Sequence, residues 1–335
     1  MPALSVIVPN YNHSMFLKKR IDSILTQTYK DFEIIILDDC SSDNSRAIIE
    51  HYRTNPHVSH IIFNETNSGS PFIQWQRGIN LAKGEFIWIA ESDDYAENTF
   101  LSEVFKRFNS DDKIGAVYCD SHVINGETIA YDFYKNHRNN MFNTNYWNND
   151  YVVEGKHEIN NYLILECTIN NTSTLVFKKN VIKQQVFKEL GLFKYSGDWY
   201  FFLTLINNCK LSYIRDALNF NRKGVDNFKE GVRSKENYFK ERCIVRFLYS
   251  KKVFFDDFTL KKIVEDLSSE MKTMLVYLLQ TQNSLHSFYD NCNLLKAINQ
   301  DLFRRILSED QLLTAVNSEL MRIYETGSDI ITADS

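Results

Sequence analysis

Three carboxylates stand almost side by side in Glu91-Ser92-Asp93-Asp94, directly after the apolar run Phe86-Ile87-Trp88-Ile89-Ala90. Such a run reads as a strand buried on both faces, so its acids emerge together where it ends. Grouped carboxylates repel one another, and a hard divalent cation relieves the repulsion by taking their oxygens as ligands. The alternative is structural: Asp93 or Asp94 caps the helix implied by Glu97 to Phe108.

The elements before this cluster decide where it sits. Leu4 to Val8 reads as a strand, and Pro9-Asn10-Tyr11-Asn12 ends it, because proline lacks the N–H a central strand needs. Ser14 opens a helix whose apolar residues Leu17, Ile21, Ile24 and Leu25 recur at helical spacing through Gln27. Phe32 to Leu37 is a second strand ending in Asp38-Asp39, and Asp43 caps a helix to about Tyr52. Ile61 to Phe63 is a third, followed by a loop over 64–70 and a helix from about Phe72 to Ala82, closed by Gly84. Alternation of this kind predicts a parallel sheet wound with helices, which binds ligands at the carboxyl ends of its strands. Four polar features fall at that one edge: Asn10 and Tyr11, the Asp38/Asp39 pair, Asn67-Ser68-Gly69, and the acidic cluster. Neither Gly-x-Gly-x-x-Gly nor Gly-x-x-x-x-Gly-Lys occurs, so dinucleotide and P-loop readings lose their support.

Composition sets the outer bounds. The chain has 335 residues, 44% hydrophobic and 24% charged, which is ordinary for a globular protein. A net charge of -5 argues against a general nucleic-acid binder. Six cysteines without a Cys-x-x-Cys pair suggest reduced thiols in a cytoplasmic protein. The first strand starts so early that a secretory signal is not expected, and no run approaches the roughly 20 apolar residues of a membrane span.

Further on, Gly115 to Cys119, Thr174 to Phe177 and Leu211 to Ile214 read as strands. The stretch from 125 to 151, dense in Asn, Tyr, Phe and Trp and including Tyr146-Trp147, is either a sugar-facing loop or a surface loop pinned by buried aromatics. From about Ser234 the pattern turns helical. Within it, Arg242, Arg246, Lys251 and Lys252 alternate with Phe247, Tyr249, Phe254 and Phe255, which suits an anionic membrane surface or an ordinary amphipathic core helix. On residue type alone, Asp198 in Gly197-Asp198-Trp199 is a helix N-cap.

The text Ser5-Val6-Ile7-Val8-Pro9-Asn10-Tyr11-Asn12, Ser23-Ile24-Leu25-Thr26-Gln27-Thr28-Tyr29, Phe32 to Asp43, Asn67-Ser68-Gly69 and Ala82 to Ile87 resembles glycosyltransferase family 2. The resemblance covers about the first third of the chain and points to members that build bacterial surface polysaccharide or lipopolysaccharide. It implies an α/β glycosyltransferase A fold over residues 1–228, with a nucleotide-sugar half at 1–115 and an acceptor half at 116–228. An all-helical C-terminal extension over 229–335 follows.

It further implies that Pro9, Asn10 and Tyr11 lie at the base and that Asp39 reads a pyrimidine N–H. Asn67, Gly69, Ser92 and Asp93 would lie along the nucleotide sugar, and Arg222 would approach the diphosphate. Glu91, Asp93 and Asp94 would hold Mn2+ or Mg2+, and Asp198 would be the catalytic base. The implied activity is metal-dependent, inverting transfer from a nucleotide sugar, a UDP-sugar by preference, to a glycan or lipid-linked acceptor. Peripheral contact with the inner face of the plasma membrane is compatible with it. Two departures stand out: Glu91 replaces an aspartate, and Trp75-Gln76 replaces a usual Arg-Asn pair, with Arg77 a substitute for the lost contact. They leave open a catalytically weak nucleotide- or glycan-binding protein on the same fold.

Overall fold

The computed structural model describes residues 1–125, 128–131, 134–222, 232–280, 292–293, 296–297 and 299–309. The chain divides into two compact units: Met1–Leu163, Cys167–Leu192 and Phe201–Asn227 form one, and Ile164–Glu166, Phe193–Tyr200 and Phe228–Ser335 the other.

In the first unit, β1 (Leu4–Asn10) pairs in parallel with β2 (Phe32–Asp38) on one side and β4 (Phe86–Ile89) on the other, and β3 (Val58–Phe63) extends the sheet beyond β2. All seven residues of β1 and of β2 are buried, as continuous apolar strands covered on both faces must be. Alternate residues serve the two faces. Val6, Val8, Ile34 and Ile36 join a core with Leu17, Ile21 and Ile24 of α1 (Ser14–Leu25) and with Phe100 and Val104 of α4 (Phe100–Phe108). Ile7 faces the other way, beneath Gly78 of α3 (Pro71–Leu81), where an added Cβ would meet the isoleucine at 2.4 Å.

The remaining strands make the sheet mixed. β9 (Leu175–Lys178) inserts antiparallel between β4 and β6 (Ile114–Asn125), and β10 (Lys210–Arg222) runs parallel to β6. Antiparallel partners β5 (Tyr95–Ala96) and β8 (Tyr151–Glu154) flank β10, and β7 (Thr128–Tyr131) pairs with β6. Local details differ from the expectations above. Ser14 is the first residue of α1 rather than its cap, and its N–H is taken by Asp43 at 2.8 Å. Gly84 does not terminate α3 through a left-handed turn. It is needed because a Cβ would lie 2.6 Å from the Ser5 nitrogen of β1.

The described residues between 125 and 151 include the helix Tyr134–Met141 and a short turn at Tyr146–Asn148. Its Trp147 is fully buried and donates its indole N–H to Tyr118 Oη at 3.0 Å, while Tyr146 stacks on Tyr151 and Tyr162. These rings hold the region down, which leaves the exposed asparagines as its outward chemistry.

The second unit contains α9 (Val232–Ser250), α10 (Asp257–Gln280) and the helix Gln300–Glu309. Ile244, Phe247, Ile263, Leu267, Met271, Leu302 and Ile306 form its apolar interior. Among the described residues, no helix is long and apolar enough to cross a membrane.

Candidate active site

The site in the first unit grows from the carboxyl ends of β1, β2 and β4. Asn10 closes β1, and its amide donates to Asp38 Oδ1 at 2.8 Å and Ser41 Oγ at 3.1 Å. Asp38 also accepts from the Ser41 N–H and hydroxyl, so this carboxylate is spent on fixing the turn after β2. Asn12 reaches the same turn by accepting from the Ser42 N–H at 2.8 Å. Both loops need left-handed backbone at non-glycine residues, with φ of 56° at Asn12 and 63° at Cys40, a strain the hydrogen bonds between them offset. Pro9 is buried within β1, and Tyr11 at the loop tip is 48% exposed.

Asp39 organises the next loop. Its carboxylate accepts from the Asn64 amide at 2.6 Å, the Gln74 amide at 2.9 Å, the Ser68 hydroxyl at 2.7 Å and the Ser68 N–H at 3.0 Å. Those four donors match the roughly four lone-pair directions of a carboxylate. A base N–H reading Asp39 would therefore replace one of them. Asn67 donates to the Asp39 carbonyl at 3.0 Å and accepts from the Gly69 N–H at 2.7 Å, with Gly69 at φ 72°. Arg77 is exposed on α3, and its guanidinium bonds Asn64.

The acidic cluster after β4 is partly committed to the protein itself. Asp94 is buried and accepts from Asn171 at 2.8 Å, the Arg222 N–H at 3.0 Å and Asn221 at 3.2 Å, with the Arg20 guanidinium 3.9 Å away. Asp93 is half-buried, and its carbonyl accepts from Arg222 Nε at 3.2 Å. Ser92 Oγ lies 2.8 Å from His13 Nδ1. Glu91 accepts the indole N–H of Trp75 at 3.0 Å.

The two departures from the family pattern are thus partners: the longer glutamate reaches an indole that an arginine side chain would not present. Burial, then the charges of Asp93 and Asp94, push the Glu91 pKa up to about 8. Burial lowers the Arg20 pKa from the ordinary guanidinium value, and the same three acids oppose that shift. Arg20 also donates Nε to the Glu91 carbonyl at 2.7 Å.

A resident guanidinium among the acids is the feature sequence reasoning missed. Its signal is positional, since residue 20 shares the buried stripe of Leu17, Ile21 and Ile24 at helical spacing. Asn171, which donates to Asp94, and Ser173, which accepts from the Glu91 N–H, lie in the polar run before β9.

Among the described residues, no group of three His, Cys, Asp or Glu side chains converges as a metal cage. The donor set still suits a hard cation held in another way. Mg2+ and similar ions bind through one or two carboxylates and complete their shell with substrate phosphates. Of the three acids, Asp94 accepts from Asn171 and Glu91 from Trp75.

Asp198 belongs to the second unit. It is not the cap of α8 (Gly197–Ile206) but its second residue, half-buried, with Oδ1 accepting from the Trp199 N–H at 2.7 Å. Burial raises its pKa to about 6, and Glu241 adds like-charge repulsion. A carboxyl titrating there can receive a proton near neutral pH more readily than an ordinary aspartate.

The sequence profile of Glycosyl transferase family 2 matches residues 5–191, more than half of the chain. The chain belongs to glycosyl transferase family 2. Family 2 relatives include glycosyltransferase GlyG of Streptococcus pneumoniae, 28% identical over 189 residues that make up 56% of this chain and 58% of GlyG. Another is the GalNAc(5)-diNAcBac-PP-undecaprenol beta-1,3-glucosyltransferase of Campylobacter jejuni, 34% identical over 109 residues, which are 32% of this chain and 35% of that protein. This chain therefore spans a little over half, or about a third, of the length of these relatives.

In fold, it is similar to the crystal structure of Staphylococcus aureus TarS 1-349 in complex with UDP-GlcNAc. The TM-score is 0.66 at 18% identity, covering 98% of this chain and 93% of that one. The family 2 chain thus has the glycosyltransferase A fold, with helices following the catalytic sheet.

Proposed function

We propose that this family 2 chain transfers a sugar, with inversion, from a UDP-sugar to a glycan or lipid-linked acceptor in bacterial surface-polysaccharide synthesis. One observation carries the reading. Asn10 bonded to Asp38, Gln74 to Asp39, Trp75 to Glu91 and Arg222 to the Asp93 carbonyl place polar groups around the carboxyl ends of β1, β2 and β4, and it is at such strand ends that parallel sheets bind nucleotide ligands. We assign the base-facing role to Pro9, Asn10, Tyr11 and Asp39, and the loop beside it to Asn67 and Gly69. Ser92, Asp93, Arg77 and Arg222 take the sugar-diphosphate side. Asp93 would hold Mn2+ or Mg2+, which supplies charge neutralisation to a departing diphosphate. Glu91 and Asp94 shape that position.

In the reaction, the acceptor oxygen bonds to the anomeric carbon while the bond from that carbon to the phosphate oxygen breaks. UDP leaves with the electron pair. Asp198 takes the acceptor hydroxyl proton as the new bond forms. Free thiols at all six cysteines suit a cytoplasmic protein. Of the basic residues of α9, Arg242 and Arg246 are buried in ion pairs. Lipid contact therefore falls to Lys251, Lys252 and Phe254, the last 97% exposed.

A panel of UDP-sugars incubated with Mn2+ tests the reading. Slow release of UDP is expected from at least one donor, and Asp93→Ala should abolish it. For Asp198→Asn, donor binding should persist while transfer is lost. The binding-protein alternative draws on Asp94 and Glu91 being engaged by the protein. A folded chain that binds UDP but turns over no donor would establish it.

A further inference from the structure

The backbone leading to Asp198 is gripped by one carboxylate from the helical extension. The N–H groups of Lys194, Tyr195 and Ser196 donate to Glu241 of α9 at 2.8, 2.7 and 2.7 Å. Glu241 is itself buried. The next residue of α9 and one a turn later secure the other side of Asp198: the Arg242 and Arg246 guanidinia lie 5.0 and 4.9 Å from the Trp199 ring. Those two cations are fixed in turn. Arg242 pairs with Glu166 and Glu270 at 2.8 and 2.6 Å, and Arg246 with Glu270 at 2.8 Å and with Asp266. Two successive α9 residues thus hold the chain before and after Asp198.

We infer that Glu241 is a positioning residue for Asp198, setting the aim of its carboxylate through the three amides it binds. The inference rests on reading Asp198 as the base. A merely stabilising role for Glu241, as an anion at the head of α8, predicts lost stability without a selective kinetic effect.

Kinetics separate the two. A carboxylate displaced by about 1 Å loses on the order of 10²-fold in turnover, while donor affinity, held elsewhere, is unchanged. Glu241 is also the charged group that faces Asp198 from α9. The Arg242 and Arg246 charges sit over Trp199 and are neutralised by Glu166, Glu270 and Asp266. Removing the Glu241 charge should therefore move the acid limb of kcat to lower pH.

The test compares the full chain with Glu241→Gln and Asp198→Asn, using the UDP-sugar turned over fastest in the Mn2+ panel, beginning with UDP-GlcNAc. Hydrogen exchange at residues 194–196 is read in parallel. Expected for Glu241→Gln are a kcat lower by about 10²-fold, KM for the donor within about twofold, an acid limb at lower pH and faster exchange at the three amides. Glutamine keeps the volume and one acceptor oxygen, so folding is retained. A Glu241→Gln enzyme with wild-type kcat beside an inactive Asp198→Asn would overturn this inference alone. Wild-type turnover in Asp198→Asn would overturn the base reading and this inference with it. Three amides that exchange freely in the wild-type chain would remove the grip itself.

Discussion

At the residue scale, the pair Trp75 and Glu91 explains why this family 2 chain departs from its pattern at two places at once. An indole offers one directional donor, and only the longer carboxylate meets it, at 3.0 Å. Trp75→Phe keeps the apolar packing but leaves the buried Glu91 oxygen without its donor. A loss of about 1–3 kcal/mol in urea unfolding is expected. Glu91→Asp, a methylene too short to reach, should show a similar loss while keeping Mn2+-dependent turnover, because Asp93 and not residue 91 is assigned to the metal. Loss of turnover in a stable Glu91→Asp chain would move Glu91 into the metal's coordination. The acidic cluster was legible in the sequence as a set of residue types. That Asp94 is consumed by Asn171, Asn221 and Arg222 was not, since its partners lie 77 to 128 positions away.

At the element scale, glycines mark where chains approach too closely for a side chain. A Cβ at Gly155, between β8 and the short helix Gly155–Glu158, would lie 1.8 Å from the Ile206 carbonyl oxygen. A backbone atom cannot swing aside, so Gly155→Ala should destabilise the chain by about 1–3 kcal/mol or prevent folding, read by thermal melting. The parallel strands were legible because each is a short apolar run bounded by polar turns. The pairing of β9 between β4 and β6, and the two-residue β5 against β10, were not. Those contacts are set by register between distant segments and leave no local periodicity.

At the scale of the whole molecule, carboxyls whose pKa desolvation raises give stability a definite slope with pH. Glu158, held among Tyr146, Tyr151 and Thr168, is pushed up to about 7 by burial, and Glu91 and Asp198 to about 8 and about 6. In the unfolded chain, such groups release their protons near 4. Between the two values the folded state holds the extra proton, so raising the pH disfavours folding, by at most about 1.4 kcal/mol per unit for each group. The carboxyls whose pKa is lowered, Glu33, Asp43, Glu50, Asp111 and Asp256, act in the opposite sense but below pH 4.5, outside this window. The melting temperature should therefore fall from pH 5.5 to pH 8.5, and Glu158→Gln should flatten the fall. A melting temperature that rises over that range would contradict the upward shift of these carboxyls in the folded chain.

The sequence by itself determined the wound parallel sheet, the edge at which its polar loops gather and the change to helices after the sheet. Those features follow from hydrophobic period and turn chemistry, which act over a few residues. Only the tertiary structure decided that Asp94 and Glu91 are bonded by Asn171 and Trp75, that Arg20 stands among the acids, and that the segment carrying Asp198 is held by α9. Hydrogen bonds and buried charges are short-ranged in space but indifferent to separation along the chain, so their partners become readable only once the chain has folded.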